Sequence, residues 1–391
     1  MTIKFMKIAD EYVGRAILVI LRMFAGNRET PRMNEPARIL VIKFWGIGSV
    51  TLSTPLLVKL KERWPRAEIH YLTLNSNAEL CSLIDEVDCV HTVSLRSLLS
   101  FLLTTIATVW RIRKLHFDIV YDLEFFSNVS SIICFLSGAP ERVASLNPRQ
   151  TISHRPRLYT RTVEFREADH TAANFLRLSG MSGLVRFATF HIREGESRTT
   201  DALFPVVLNI NASSLAHERR WGADNFRELA ERLITVHGAS IYLIGSADER
   251  GYTNRFHSMF HNSSTVTNLC GELTTNQLIQ LIGESNLVVT NDSGPLHIAS
   301  ALNITTISFF GPETPKRYDS LADHHLTFYA GLWCSPCMTV SNLKTVNCIN
   351  DMQCMKQIRS SDIMDQVDRF LSSIKETISE RENRNFIGVT P

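Results

Sequence analysis

Neither sign of charge dominates this 391-residue chain: 41 Lys and Arg stand against 39 Asp and Glu, for a net charge of +2. Without an excess of cations it lacks the basic surface a polyanion such as nucleic acid requires, and it has no acidic tail. A long uncharged apolar run is also missing. The most apolar stretch near the N-terminus, residues 12–24, is broken by Arg15 and Arg22 and falls short of the roughly 20 residues a membrane span needs. No cleavable signal peptide is legible, and the 8 cysteines are scattered along the chain. A reduced, cytosolic setting is therefore expected, and a disulfide framework is not. Internal repeats and low-complexity segments are absent as well.

What is present reads as two α/β domains. From Ala37 onward, short apolar runs alternate with longer helical patterns, as in sheets covered by helices on both faces. Strands are expected at 38–43, 68–73 and 118–121, then at 206–209, 240–244, 287–290 and 305–310. The polar, Arg-rich stretch 142–200 between the two series carries one helical pattern, and the domain boundary is placed close to residue 190. Open α/β sheets bind ligands beyond the carboxyl ends of their strands, so the loops after Lys43, Tyr121, Asn209, Ile244, Thr290 and Phe310 are where chemistry is expected. The apolar N-terminal stretch, with Lys4, Lys7, Arg15 and Arg22 interspersed, reads equally as an amphipathic helix on anionic lipid or a helix packed on the protein's own body. The apolar helix from Leu98 to Arg113 reads most simply as core, although its basic end suits lipid headgroups or an anionic acceptor. A C-terminal helix near 360–378 is expected to cross back onto the first domain.

The sharpest segment is Val289-Thr-Asn-Asp-Ser-Gly-Pro-Leu-His-Ile-Ala299: a strand, a polar turn, then a helix with proline in its first turn. Such a turn aims free backbone N–H groups and the positive end of the helix at an anion, and a diphosphate suits it. Ser293 adds a hydroxyl and His297 follows one turn later; an ordinary capped helix with a core histidine is the plainer alternative. Gly46-x-Gly48 after the first strand suggests a dinucleotide fingerprint, but Thr51 holds the third glycine position and Glu68 opens its strand where the acid should close one. Nicotinamide dinucleotide is rejected on that ground. Cys334-x2-Cys337-x10-Cys348-x5-Cys354 reads as spare or buried thiols before a zinc site, since the second pair lacks knuckle spacing.

Four segments in order resemble glycosyltransferase family 9, the ADP-heptose:lipopolysaccharide heptosyltransferases: Arg38 to Pro55, Asn209 to Ser213 with Arg219-Arg220-Trp221, Leu243 to Glu249, and the 289–299 segment with Gly311-Pro312 beyond it. The resemblance implies a GT-B fold, two facing Rossmann-like α/β domains with parallel sheets. It divides the chain into an amphipathic extension (1–36), an acceptor-binding domain (37–190) and a nucleotide-sugar-binding domain (191–391) with a Cys-rich loop and a C-terminal helix. Donor contacts would then come from Asn211, Ser213, Asp248, Glu249, Asp292, Ser293, Gly294 and His297. Arg219 takes the place of a family lysine at the leaving phosphate, and Gly46 and Gly48 form the acceptor loop. The family's general base is an Asp after the second loop glycine, where this chain has Ser49, and a neutral hydroxyl cannot take that proton unaided. Asp122 and Glu124, just after a strand end, are the substitutes, with Glu124 preferred.

The resemblance thus implies inverting, metal-independent transfer of a sugar, foremost heptose from ADP-heptose, to a lipopolysaccharide core or related surface glycan. No cofactor is required beyond the nucleotide-sugar donor, and the setting is the cytoplasm or the inner face of the cytoplasmic membrane. A nucleotide-sugar epimerase and an inactive sugar-nucleotide-binding member of a glycan assembly complex are the alternatives.

Overall fold

The computed structural model describes residues 10–24, 35–146, 155–181, 183–193, 202–212, 217–260, 263–339, 346 and 348–387. The chain divides into two compact units, with the changeover between Ile192 and Arg193.

The first unit runs α1 (Arg15–Leu21), β1 (Arg38–Ile42), α2 (Ile47–Arg63), β2 (Glu68–Leu74), α3 (Ala78–Ser82), β3 (Cys89–Val93), α4 (Leu98–Leu115), β4 (Ile119–Asp122), α5 (Asn128–Leu136), β5 (Glu141–Leu146), β6 (Arg161–Glu164) and α6 (Thr171–Leu178). The second runs β7 (Pro205–Asn209), α7 (Ala223–His237), β8 (Ser240–Leu243), α8 (Arg250–His257), β9 (Val266–Asn268), α9 (Thr275–Glu284), β10 (Leu287–Asn291), α10 (Gly294–Ala301), β11 (Thr306–Phe310), α11 (Pro315–Tyr318), β12 (His325–Tyr329), α12 (Gln353–Lys356) and α13 (Ser360–Ile387).

Each unit holds one six-stranded sheet. The first has the order β3-β2-β1-β4-β5-β6, the second β12-β11-β10-β7-β8-β9, and every pairing is parallel. Both are the doubly wound arrangement in which strand order reverses beside the first strand, which puts the switch points between β1 and β4 and between β7 and β10. Helices on both faces bury the central strands on both sides, which is why Ile-Leu-Val-Ile and Val-Val-Leu read as continuous apolar runs without alternation. In the second unit Trp221 stacks on Phe309 at 3.7 Å, and Phe226 meets both rings edge-on.

Five strands, β3, β5, β6, β9 and β12, were not expected from the sequence. Two of them, β5 and β6, lie within or at the start of the stretch taken as an inter-domain connection. They are polar (Glu-Arg-Val-Ala-Ser-Leu and Arg-Thr-Val-Glu) because they sit at or next to a sheet edge.

Three helices correct or refine the expectations. The N-terminal segment is held on the protein's own body: Leu18 is buried, and the Asp10 carboxylate accepts the free amides of Asn128 (2.9 Å) and Val129 (2.8 Å) at the start of α5. Burial raises the Asp10 pKa, partly offset by those two amides. The outer side of the same segment exposes Ile17, Ile20, Met23 and Phe24. Helix α4 is not a core helix: Leu98, Leu99, Leu102, Leu103, Ile106 and Trp110 are all exposed, and its underside is fixed by buried Thr108 and Ile112. Helix α13 packs on the second unit. Val367, Leu371 and Ile374 join the core of the second unit, and Arg232 and His237 of α7 grip Asp368 at 2.6 and 2.8 Å.

Candidate active site

At the switch point of the second unit, polar residues ending two apolar strands are wired to each other. Asn291, the last residue of β10, donates from Nδ2 to the carbonyls of Ile210 and Asn211, both 3.1 Å away, and its Oδ1 accepts the Trp221 amide at 3.0 Å. Asn209, the last residue of β7, donates to Ser293 Oγ at 2.9 Å and Thr290 Oγ1 at 3.2 Å. Asn211 reaches the Ile244 carbonyl (3.0 Å) and Thr253 (3.1 Å), tying in the loop after β8. Gly245 is required there, because a Cβ would collide with Asn211 Nδ2 and come within 2.8 Å of Cys270 Sγ.

This wiring fixes the turn that starts α10. Ser293 is its N-cap residue, in extended conformation, and Pro295 occupies the first turn. The Ser293 hydroxyl makes no bond to the helix amides and is engaged by Asn209 and Thr290. The hydroxyl thus ties the turn to the ends of β7 and β10. Within the first turn Pro295 has no N–H and the Leu296 amide donates to the Ser293 carbonyl at 3.2 Å, so the helix start offers an anion the Gly294 amide and the positive dipole end. Arg219 is brought to the same turn: its Nη1 donates to the Asp292 carbonyl at 3.0 Å and lies 3.4 Å from Asp292 Oδ2. Gly294 begins the helix, and His297 is buried beneath it with its ring 6.0 Å from that of Tyr318.

The remaining donor-side candidates divide. Glu249 closes a capping box, accepting the Ser246 amide (2.9 Å) and hydroxyl (2.8 Å), so the structure gives it a capping part. Asp248 beside it is exposed. Ser213 lies outside the described residues. Beyond β11 the structure adds a group the sequence did not suggest: buried Arg317 donates to Glu313 Oε1 at 2.6 Å and to the Met338 carbonyl at 2.9 Å. Cys334, Cys337, Cys348 and Cys354 do line one cavity, of about 100 Å³. Burial and the neighbouring thiols push Cys354 up to about 11.

At the switch point of the first unit a carboxylate does the wiring. Gly46, exposed at φ 81°, turns the chain from β1 into α2; Gly48 is buried in the first turn of that helix and Ser49 is half-buried. Glu124, 1% exposed, accepts through Oε1 from Lys43 Nζ (2.8 Å), the Phe44 amide (2.7 Å) and the Trp45 amide (3.1 Å), while its Oε2 is buried with no partner. Asp122 is fully buried and accepts from three donors, the Glu124 amide (3.0 Å), the Ser130 hydroxyl (2.8 Å) and the Tyr159 hydroxyl (2.5 Å), with the Arg155 guanidinium as its ion-pair partner at 3.6 Å. Arg155 in turn donates to the Glu124 and Phe125 carbonyls at 2.7 and 2.6 Å. Desolvation raises the Asp122 pKa against these partners. Asp122 thus supports the loop that follows β4, and Glu124 is the carboxylate that joins this loop to the one after β1.

A family profile, Glycosyltransferase family 9 (heptosyltransferase), matches residues 111–347, more than half of the chain. The chain belongs to glycosyltransferase family 9. Within that family it is similar to lipopolysaccharide heptosyltransferase 2 of Escherichia coli K12, at 25% identity over 301 residues, 71% of this chain and 84% of the relative. It is also similar to lipooligosaccharide heptosyltransferase 2 of Campylobacter jejuni, at 27% over 173 residues, 43% of this chain and 51% of the relative. The chain thus spans about half the length of the Campylobacter relatives it matches. Among solved structures, E. coli ADP-heptose lps heptosyltransferase II superposes with a TM-score of 0.69 at 21% identity, covering 86% of this chain and 99% of that one. A glycosyl transferase family 9 protein from Veillonella parvula gives 0.71 at 17% identity, over 88% and 99%. The fold of this family 9 member is accordingly GT-B.

Proposed function

We propose that this chain is a heptosyltransferase that moves heptose from ADP-heptose to a lipopolysaccharide core or related surface glycan by a metal-independent, inverting displacement. The observation that carries this reading is the start of α10, with its turn locked by Asn209 and Thr290 and Arg219 braced against Asp292. A preorganised helix start, with the Gly294 amide and the dipole end, and a guanidinium at the same turn suit the charge that gathers on a departing diphosphate, where electrostatic stabilisation contributes most. In this reading Asn211, Asp248 and Glu249 lie on the nucleoside side and His297 supports the sugar side. Gly46 and Gly48 shape the acceptor loop, and Glu124 takes the acceptor proton through Oε2, the oxygen left unpartnered. Such a role requires the Phe44-Trp45 segment to move aside, since the oxygen is buried at rest.

Acceptor-dependent ADP release from ADP-heptose tests the proposal. Turnover is expected with a heptose-terminated core acceptor and not with the donor alone. Ser49 favours a second reading, a sugar-nucleotide-binding protein without turnover: tight ADP-heptose binding with no release, and release appearing in Ser49→Asp, would establish that one instead.

We further place the enzyme on an anionic membrane surface. No helix among the described residues is long and apolar enough to cross a membrane. Support comes from the exposed apolar faces of α4 and α1, with Arg111, Arg113 and Lys114 at the end of the first and Arg15 at the start of the second. Apolar faces flanked by cations bind the interface by area plus attraction to anionic lipid. Replacing Leu99 and Leu103 with serine, which removes two exposed leucines and touches no core, is expected to weaken co-sedimentation with phosphatidylglycerol vesicles by about tenfold or more, at roughly 1 kcal/mol per partly inserted leucine. Unchanged sedimentation would refute the placement.

A further inference from the structure

Far from either switch point, the outer edge of the first sheet gathers His70, Cys89 and His91. The β2–β3 register sets His70 opposite Cys89, and the two-residue period of β3 returns His91 to the same face. Their ligand atoms all lie within 4.8 Å of one another, the one place among the described residues where three such groups converge. His70 Nδ1 is 2.9 Å from His91 Nε2, which is 3.9 Å from Cys89 Sγ.

We infer that these three residues hold one borderline divalent cation, zinc being the first candidate, as a staple between strands β2 and β3. Tetrahedral zinc with Zn–N of about 2.0–2.1 Å and Zn–S of about 2.3 Å separates its ligands by roughly 3.3–3.7 Å, so the two imidazole nitrogens must part by about 0.4 Å and the thiol must close in by up to about 1 Å, a movement within reach of a cysteine side chain on an edge strand. The surroundings fit as well. Glu68 Oε2 lies 3.6 Å from His70 Nε2 and is itself held by Arg38 at 2.8 Å. That carboxylate favours the proton on Nε2 and leaves the Nδ1 lone pair for the metal, the usual outer-sphere arrangement for a ligating histidine. His91 is 3% exposed, and its Nδ1 is buried without a hydrogen-bond partner. Ligation through Nε2 settles the proton on Nδ1, so His91 meets the metal as the neutral imidazole that ligation needs.

On binding, Cys89 gives up its thiol proton, and with Glu68 behind His70 it balances the charge of the cation. Cys89 is half-exposed, which gives the cation a path in and leaves the fourth position to water. The three residues lie in the first half of β2 and of β3, whereas the candidate active site lies beyond the strands' carboxyl ends, so the cation is structural and takes no part in transfer.

The test uses the full chain, stripped with a chelator and titrated with Co²⁺, with thiolate-to-cobalt charge transfer and tetrahedral d–d bands as the readout and zinc protection against heat as a second. Because Cys334, Cys337, Cys348 and Cys354 offer a competing set of thiols, the titration is repeated in Cys334→Ser/Cys337→Ser. One cobalt per chain with the charge-transfer band is expected in wild type and in that double variant, and loss of the band in Cys89→Ser. His70→Gln should lose at least tenfold in affinity. Absence of binding, survival of the band in Cys89→Ser, or its loss in the double variant would each overturn the site. Cys89→Ser is nearly isosteric at a half-exposed position, so it decides the matter even if His70→Gln misfolds.

Discussion

Glu124→Gln is expected to lower the unfolding free energy of the first unit by about 3–5 kcal/mol, because it leaves the Lys43 ammonium buried without its counter-charge. The pair is among the most buried in the protein, at 4% and 1% side-chain exposure. The double variant Lys43→Met/Glu124→Gln removes both charges and should recover most of that loss in denaturant titrations, since a buried pair and a well-packed apolar replacement differ little. Turnover provides an independent readout. If Oε2 is the base, acceptor-dependent ADP release stays lost in the double variant although the fold is restored. If Glu124 only shapes the loop through the Phe44 and Trp45 amides, release returns together with stability.

The second large effect is expected at Arg219. Arg219→Ala should reduce the kcat for ADP release by roughly 10²-fold, the usual consequence of removing one donor from a developing oxyanion. Arg219→Lys should recover only part of it, because an ammonium keeps the charge but cannot match two phosphate oxygens in one plane. Stability is expected to fall by only about 1–3 kcal/mol, the cost of leaving the Asp292 carboxylate, 7% exposed, without the 18% exposed Arg219 beside it. Single-turnover measurements with saturating ADP-heptose separate this from weakened binding: a residue acting on the leaving group lowers the rate of the chemical step, whereas one that only binds the donor raises KM.

The central strands of both sheets were legible because they are buried on both faces and read as unbroken apolar runs. Outlying strands carry no such signal: β9 is the three residues Val-Thr-Asn, and β5 mixes Glu, Arg and Ser with its apolar positions. The donor turn was legible in position and not in wiring. Proline in the first turn of α10 announces a helix start from sequence alone, but that the Ser293 hydroxyl is taken by Asn209 depends on β7 lying next to β10, a fact of strand order. Lys43 and Glu124 are 81 residues apart and meet only because β1 pairs with β4. The exposed face of α4 was misread for a related reason: an apolar helix of that length is ordinarily covered, and nothing in its own residues says that no layer lies over it. Likewise His70 and the Cys89-x-His91 pair form no recognisable motif until the β2–β3 register sets them opposite one another.

Helix α13 carries a consequence for how the molecule is made. Val367, Leu371 and Ile374 belong to the same core as Val206 and Leu208, and the Trp221 indole donates to the Ile358 carbonyl at 2.6 Å. A ribosome delivers β7 first and this helix last, so the nucleotide-side core stays open while the intervening strands and helices emerge. The first unit's core, built from residues between Leu40 and Tyr159, includes no such late piece and can close beforehand. During that interval Trp221, Phe226 and Phe309 lack their final cover, so apolar surface stays exposed longer in the second half than in the first.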